Sequence, residues 1–110
     1  MSKHDIVRLR HMLDAAREAV TSAGPRGKDA LTADHIWVLG LVKCIEIIGE
    51  AASKVSQPTR DACLQIPWTD IIAMRNRLVH AYFEIDTDQV WKAITEDLPP
   101  LIAELEKVLA

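Results

Sequence analysis

Glycine is scarce in this chain: four glycines in 110 residues. A β-rich fold of this length needs many glycine-bearing turns, so the shortage points to an all-helical class. Aromatic residues are also few, at three Trp, one Tyr and one Phe. The hydrophobic share of 49% therefore comes mostly from Ala, Leu, Ile and Val. Cysteine is limited to Cys44 and Cys63. Neither stands at a metal-ligand spacing, and both fall in helical patterns. They read as small buried hydrophobes suited to a reducing cytoplasm. There is no excess of positive charge, the formal net charge being −3. That excludes a surface coated for indiscriminate nucleic-acid binding but leaves room for a local basic cleft. No apolar run is long enough to span a membrane. The start, Met1-Ser2-Lys3-His4-Asp5, passes directly into an amphipathic pattern without a signal-peptide core. Residues 1–110 are expected to form one domain, which buries about 65% of its unfolded surface at this size and needs no staples.

Ser2-Lys3-His4-Asp5 resembles a capping box opening a first helix. Its inward face carries Ile6, Leu9, Leu13, Ala16 and Val20, and Gly24-Pro25 stops it. Residues 24–30 read as a polar loop. Thr32 is the expected cap of a second helix reaching about Gln57, roughly 39 Å long. Its apolar set, from Ile36 to Val55, is wider than one stripe. Either a partner subunit covers the second side, or this is the central helix of a bundle. A short helix follows near residues 58–65. Pro67-Trp68 opens another that fades near residues 83–85. Asp86 or Thr87 caps the last helical region, which Pro99-Pro100 should kink or break. The expected architecture is an antiparallel four-helix-type bundle with an additional short helix.

The segment from Arg75 to Tyr82 gathers two guanidiniums, a carboxamide, an imidazole and a phenol. Arg75 suits a phosphate, whose developing charge it would stabilise. His80 suits proton transfer near neutral pH. Asn76 would orient the ring or the phosphodiester, and Tyr82 would orient His80 or stack on a base. Arg77, three residues before His80, would join the same face. The set fits metal-free RNA cleavage in which a 2′-hydroxyl attacks the adjacent phosphate. Spacing alone also accommodates arginines paired with surface carboxylates and a His and Tyr at a helix end. On one ideal helix, Arg75 and Tyr82 lie within about 20° of one stripe, whereas Arg75 and His80 diverge by about 140°. A second copy of the motif across a two-fold axis would resolve that divergence.

The run Arg75-Asn76-Arg77-Leu78-Val79-His80-Ala81-Tyr82 resembles the Arg-x4-His-x-Tyr signature of the HepT-like toxins, in the HEPN superfamily of helical ribonucleases. Ile47-Ile48-Gly49-Glu50-Ala51-Ala52 is similar to that family's Gly-Glu-Ala helix. Ile66-Pro67-Trp68 is similar to its Pro-x-Trp lead-in, and Phe83, Ile85-Asp86, Val90-Trp91 and Asp97-Leu98-Pro99 to its C-terminal pattern. The likeness covers roughly residues 36–105. It implies a homodimeric HEPN-like bundle with its active site at the two-fold seam, acting as an RNA endonuclease toxin without metal or cofactor. It implies catalytic roles for Arg75 and His80 and a supporting role for Asn76. Glu50 is a candidate supporting residue that pairs with a motif arginine, or else a solvated helix glutamate. The implied partner is an MntA-type nucleotidyltransferase antitoxin that silences the toxin by adding AMP to Tyr82. Ala81 departs from the pattern, standing where many relatives have Gly. The rival reading is a non-catalytic helical subunit that docks on a nucleotidyltransferase and assists nucleotide or substrate binding. His4, His11 and His35 belong to no constellation and should lie on the surface. Trp37, Trp68 and Trp91 should lie in the core or the seam.

Overall fold

The computed structural model describes residues 1–81 and 84–110. Helix α1 (Lys3–Ala23) opens as expected, the Ser2 hydroxyl accepting from the Asp5 N–H at 3.1 Å. It ends at Gly24. Gly27 reverses the chain at φ +79°, a conformation that glycine adopts without a Cβ penalty. A single turn, α2 (Ala30–Ala33), follows.

The second long helix is shorter than residues 32–57. Asp34, not Thr32, caps α3 (His35–Ser53), its Oδ1 accepting from the Trp37 N–H at 3.1 Å. The Thr32 hydroxyl instead donates to the Asp29 carbonyl. Arg26 favours this choice: it donates to Asp34 Oδ2 at 3.0 Å and lies 3.9 Å from the centre of the Trp37 ring. At the other end, the Arg60 guanidinium takes the carbonyls of Ala52, Ser53 and Val55 at 3.0–3.1 Å. Those are the acceptors a continuing helix would use. Helix α4 (Gln57–Ala62) holds Pro58 in its first turn, where the missing N–H has no role.

Helix α5 (Trp68–Leu78) leads into an antiparallel ribbon of β1 (Val79–Ala81) and β2 (Glu84–Ile85), with Val79 opposite Ile85. Asp86 then caps α6 (Thr87–Lys92). A π-helical turn (Ala93–Asp97) joins α6 to α7 (Leu98–Leu109). The expected break at Pro99-Pro100 takes this form. Both prolines stand in the first turn of α7 and have no N–H to return to the turn before. The Leu98 N–H bonds the Ala93 carbonyl five residues back, which widens that turn.

The all-α expectation holds apart from the short ribbon. Helix α3 packs against α1 and α5, and α7 returns along α1. Leu9, Met12, Ile45, Ile48, Met74, Leu78, Val90, Leu98 and Leu105 fill the space between them. Ile36, Leu39 and Ile47 stay exposed on the outer side of α3. Cys63 is buried and Cys44 half-buried, and burial raises both thiols above their ordinary range, as inert core thiols require. Among the described residues no helix is long and apolar enough to cross a membrane.

Gly49 sets the spacing of α3 and α5. A Cβ there would lie 3.2 Å from the Ile72 carbonyl oxygen, a backbone atom that no side-chain rotation can move aside. Gly49→Val is therefore expected to cost about 1–3 kcal/mol through overpacking. The loss would be read as a lower urea midpoint at an unchanged denaturant slope.

Candidate active site

The helical pattern predicts that α5 runs on to residues 83–85, but it stops at Leu78. β-Branched Val79 takes an extended conformation, φ −126° and ψ 109°. The Leu78 carbonyl accepts from the Asp86 N–H at 2.7 Å, so it is committed to the residue that follows β2. Arg75, Asn76 and Arg77 thus occupy the last turn of α5, while His80 lies on β1. The 140° divergence of an ideal helix therefore does not apply to His80. Tyr82 and Phe83 lie outside the described residues, and with them the expected stripe shared by Tyr82 and Arg75.

Arg75 is held from α3. Its Nε donates to Glu46 Oε1 at 3.1 Å. Among the described residues its two terminal nitrogens make no hydrogen bond. Arg75 lines an open groove of about 550 Å³ between α1, α3 and α5. Asn76 lines the groove beside Arg75, Lys43 and Glu50 line it from α3, and Arg8 and His11 from α1. The Arg8 Nε is buried there without a hydrogen-bond partner among the described residues.

The structure bears on one open alternative and corrects one expectation. Glu50 reaches the groove, but its carboxylate pairs with Lys54 at 3.2 Å, and Glu46 is the partner of the motif arginine. Arg77 does not join the face of His80, because its Nη2 is paired with Asp97 at 3.5 Å. His11 is exposed as expected, yet it lines the groove. The available signal was its spacing from Arg8, three residues along the same helix.

The ring of His80 has its own carboxylate. Nε2 lies 3.0 Å from Asp86 Oδ2, with the imidazole half exposed. Asp86 Oδ1 accepts from the Gln89 N–H at 3.1 Å. The bond to His80, followed by the one from Gln89, holds the Asp86 carboxyl below the usual aspartate range. The sequence marked Asp86 as one of two candidate helix caps and as part of the family's C-terminal pattern, with no role toward His80. No hydrogen bond joins His80 to Arg75 or Asn76 among the described residues. The arrangement offers a cationic edge in a groove and, on the ribbon, a carboxylate-backed imidazole able to exchange a proton with solvent or a ligand.

A family model described as "Ribonuclease HepT-like" matches residues 9–108. A protein of Thermococcus cleftensis named "Probable ribonuclease HepT" is 37% identical over 68 residues, covering 62% of each chain. A "Putative RNase" of Methanocaldococcus jannaschii is 29% identical over 109 residues, covering 98% of this chain and 100% of its own. Another "Putative RNase", from Caldanaerobacter subterraneus, is 26% identical over 101 residues, covering 92% of this chain and 90% of its own. No solved structure gives a significant match.

Proposed function

Because the chain belongs to the Ribonuclease HepT-like family, we propose that it is a toxin-type RNA endonuclease that needs no metal, with Arg75 as phosphate ligand and His80 as the proton-transfer group. The observation that carries this reading is the state of Arg75. Glu46 anchors the guanidinium through Nε, its terminal nitrogens make no hydrogen bond among the described residues, and Arg75 lines an open groove. A guanidinium so held can bind a phosphate through two parallel N–H donors. In the reaction the RNA 2′-oxygen bonds to phosphorus and the bond from phosphorus to the 5′-oxygen breaks. The proton of the 2′-hydroxyl ends on the leaving 5′-oxygen. DNA lacks the nucleophile and would stay intact.

In this reading two copies of the chain complete the site. The exposed Ile36, Leu39 and Ile47 of α3 provide an apolar face for a second copy, and Ile47 also borders the groove. Silencing is AMP addition to the Tyr82 hydroxyl by a nucleotidyltransferase antitoxin. Tyr82 follows His80 by two residues in the chain, so the added phosphate would bring negative charge where RNA phosphate must bind.

Labelled RNA incubated with unmodified protein in EDTA is expected to be cut to fragments ending in a 2′,3′-cyclic phosphate. Arg75→Ala should lower the cleavage rate by roughly 10²-fold, the usual loss for one donor to developing charge. If clean wild-type protein leaves every RNA tested intact, the reading is wrong.

A further inference from the structure

An imidazole has two nitrogens, and only one can work on substrate while the other is held. Here Nε2 is the held one, 3.0 Å from Asp86 Oδ2. Asp86 is itself fixed on three sides. Its N–H bonds the Leu78 carbonyl at 2.7 Å, its Oδ1 takes the Gln89 N–H at 3.1 Å, and its Oδ2 faces the ring. A carboxylate in that setting can only accept, so Nε2 must carry the hydrogen. The neutral ring then presents the lone pair of Nδ1. Only a carboxylate among the usual helix caps leaves a second acceptor oxygen for a neighbour. Ser and Thr have one oxygen, and Asn would present an NH2 group instead.

The geometry points to Asp86 as a positioning residue that locks the neutral His80 ring in its Nε2–H tautomer and makes Nδ1 the nitrogen that moves the proton. The catalytic half of this inference rests on the nuclease reading above. The proton of the 2′-hydroxyl passes to Nδ1 as the 2′-oxygen bonds to phosphorus. It passes on to the 5′-oxygen as the bond from phosphorus to that oxygen breaks, and the ring returns to its Nε2–H form. Asp86 faces the transient imidazolium and keeps its own charge throughout.

Asp86→Asn separates this role from capping. Asparagine caps a helix as well as aspartate does. With its oxygen on Gln89, its NH2 would face Nε2 and force the hydrogen onto Nδ1, the wrong tautomer. Long-range nitrogen–proton NMR spectra of 15N-labelled protein, recorded where the ring is neutral, read the tautomer directly. The signal is assigned by its loss in His80→Gln. The wild type is expected to show Nε2–H and Asp86→Asn to show Nδ1–H, at an unchanged melting temperature. Single-turnover RNA cleavage should fall at least roughly tenfold in the variant with KM held, a part of the full acid–base factor. A wild-type Nδ1–H ring, a variant that keeps Nε2–H, or a tautomer swap that leaves cleavage unchanged overturns the inference. If the wild type cuts no RNA, the nuclease reading falls, while the tautomer still decides whether Asp86 orients the ring.

Discussion

Replacing His80 with alanine is expected to lower RNA cleavage by about 10²–10⁴-fold, the range that a positioned general acid or base supplies. The fold should be indifferent to the change. The His80 side chain is 55% exposed and among the described residues makes a single hydrogen bond, to a carboxylate that keeps its capping bond to Gln89 when the ring is gone. Exposed pairs of this kind contribute little to stability. The melting temperature of His80→Ala should therefore match the wild type within the error of the measurement. His80→Gln is the sharper control, since its amide can still donate to Asp86 yet cannot carry a proton between oxygens. Both variants should lose activity equally in single-turnover assays. A His80→Ala protein that cleaves within about twofold of wild type would falsify the assignment of proton transfer to this residue.

Asp5→Ala is expected to be the most damaging single change to stability, lowering the melting temperature by roughly 10 °C or more. Asp5 is 1% exposed and ties the start of α1 to the start of α4. Its Oδ1 accepts from the Ser56 N–H at 2.9 Å, and its Oδ2 from the Ser56 and Thr59 hydroxyls at 2.5 and 2.6 Å. Alanine would leave those donors without their acceptor, and buried Thr59 has no ready access to water. The same contacts give a pH signature. The Ser56 hydroxyl, then the Thr59 hydroxyl and the Ser56 N–H, hold the Asp5 carboxyl far below the 3.8 of an ordinary aspartate. In acid the unfolded chain therefore binds this proton first. The contribution is complete above the unfolded value and fades as pH falls through about 4 toward the folded one. The gap in melting temperature between wild type and Asp5→Asn should be widest near neutrality and should narrow below about pH 4. A gap as wide at pH 3 as at pH 7 would contradict this account.

Much of the secondary structure follows from local chemistry that the chain displays openly. The Ser2 cap, the stop at Gly24, the start of α5 at Trp68 and the Asp86 cap involve neighbours a few residues apart. Side-chain type and backbone preference settle such features before any packing occurs. The prolines at 99 and 100 likewise announced a disturbance, though its π-helical form depended on the Leu98 N–H finding the Ala93 carbonyl.

Three features depended on packing. Asp34 and Thr32 are both good caps, and the choice went to Asp34 because Arg26 and Trp37 meet there. Helix α5 ended at Leu78 because Asp86, eight residues on, claimed the Leu78 carbonyl. Glu46 rather than Glu50 took Arg75, although the two stand one turn apart on nearly the same face of α3. A helical pattern cannot separate carboxylates four residues apart. How far α3 slides along α5 does so, and the tight contact at Gly49 governs that register. The types of group that make up the candidate site were thus legible in the sequence from Arg75 to His80. Which carboxylate holds which of them came from the packing: Glu46 meets Arg75 only where α3 lies on α5, and Asp86 meets His80 only because β2 folds back on β1.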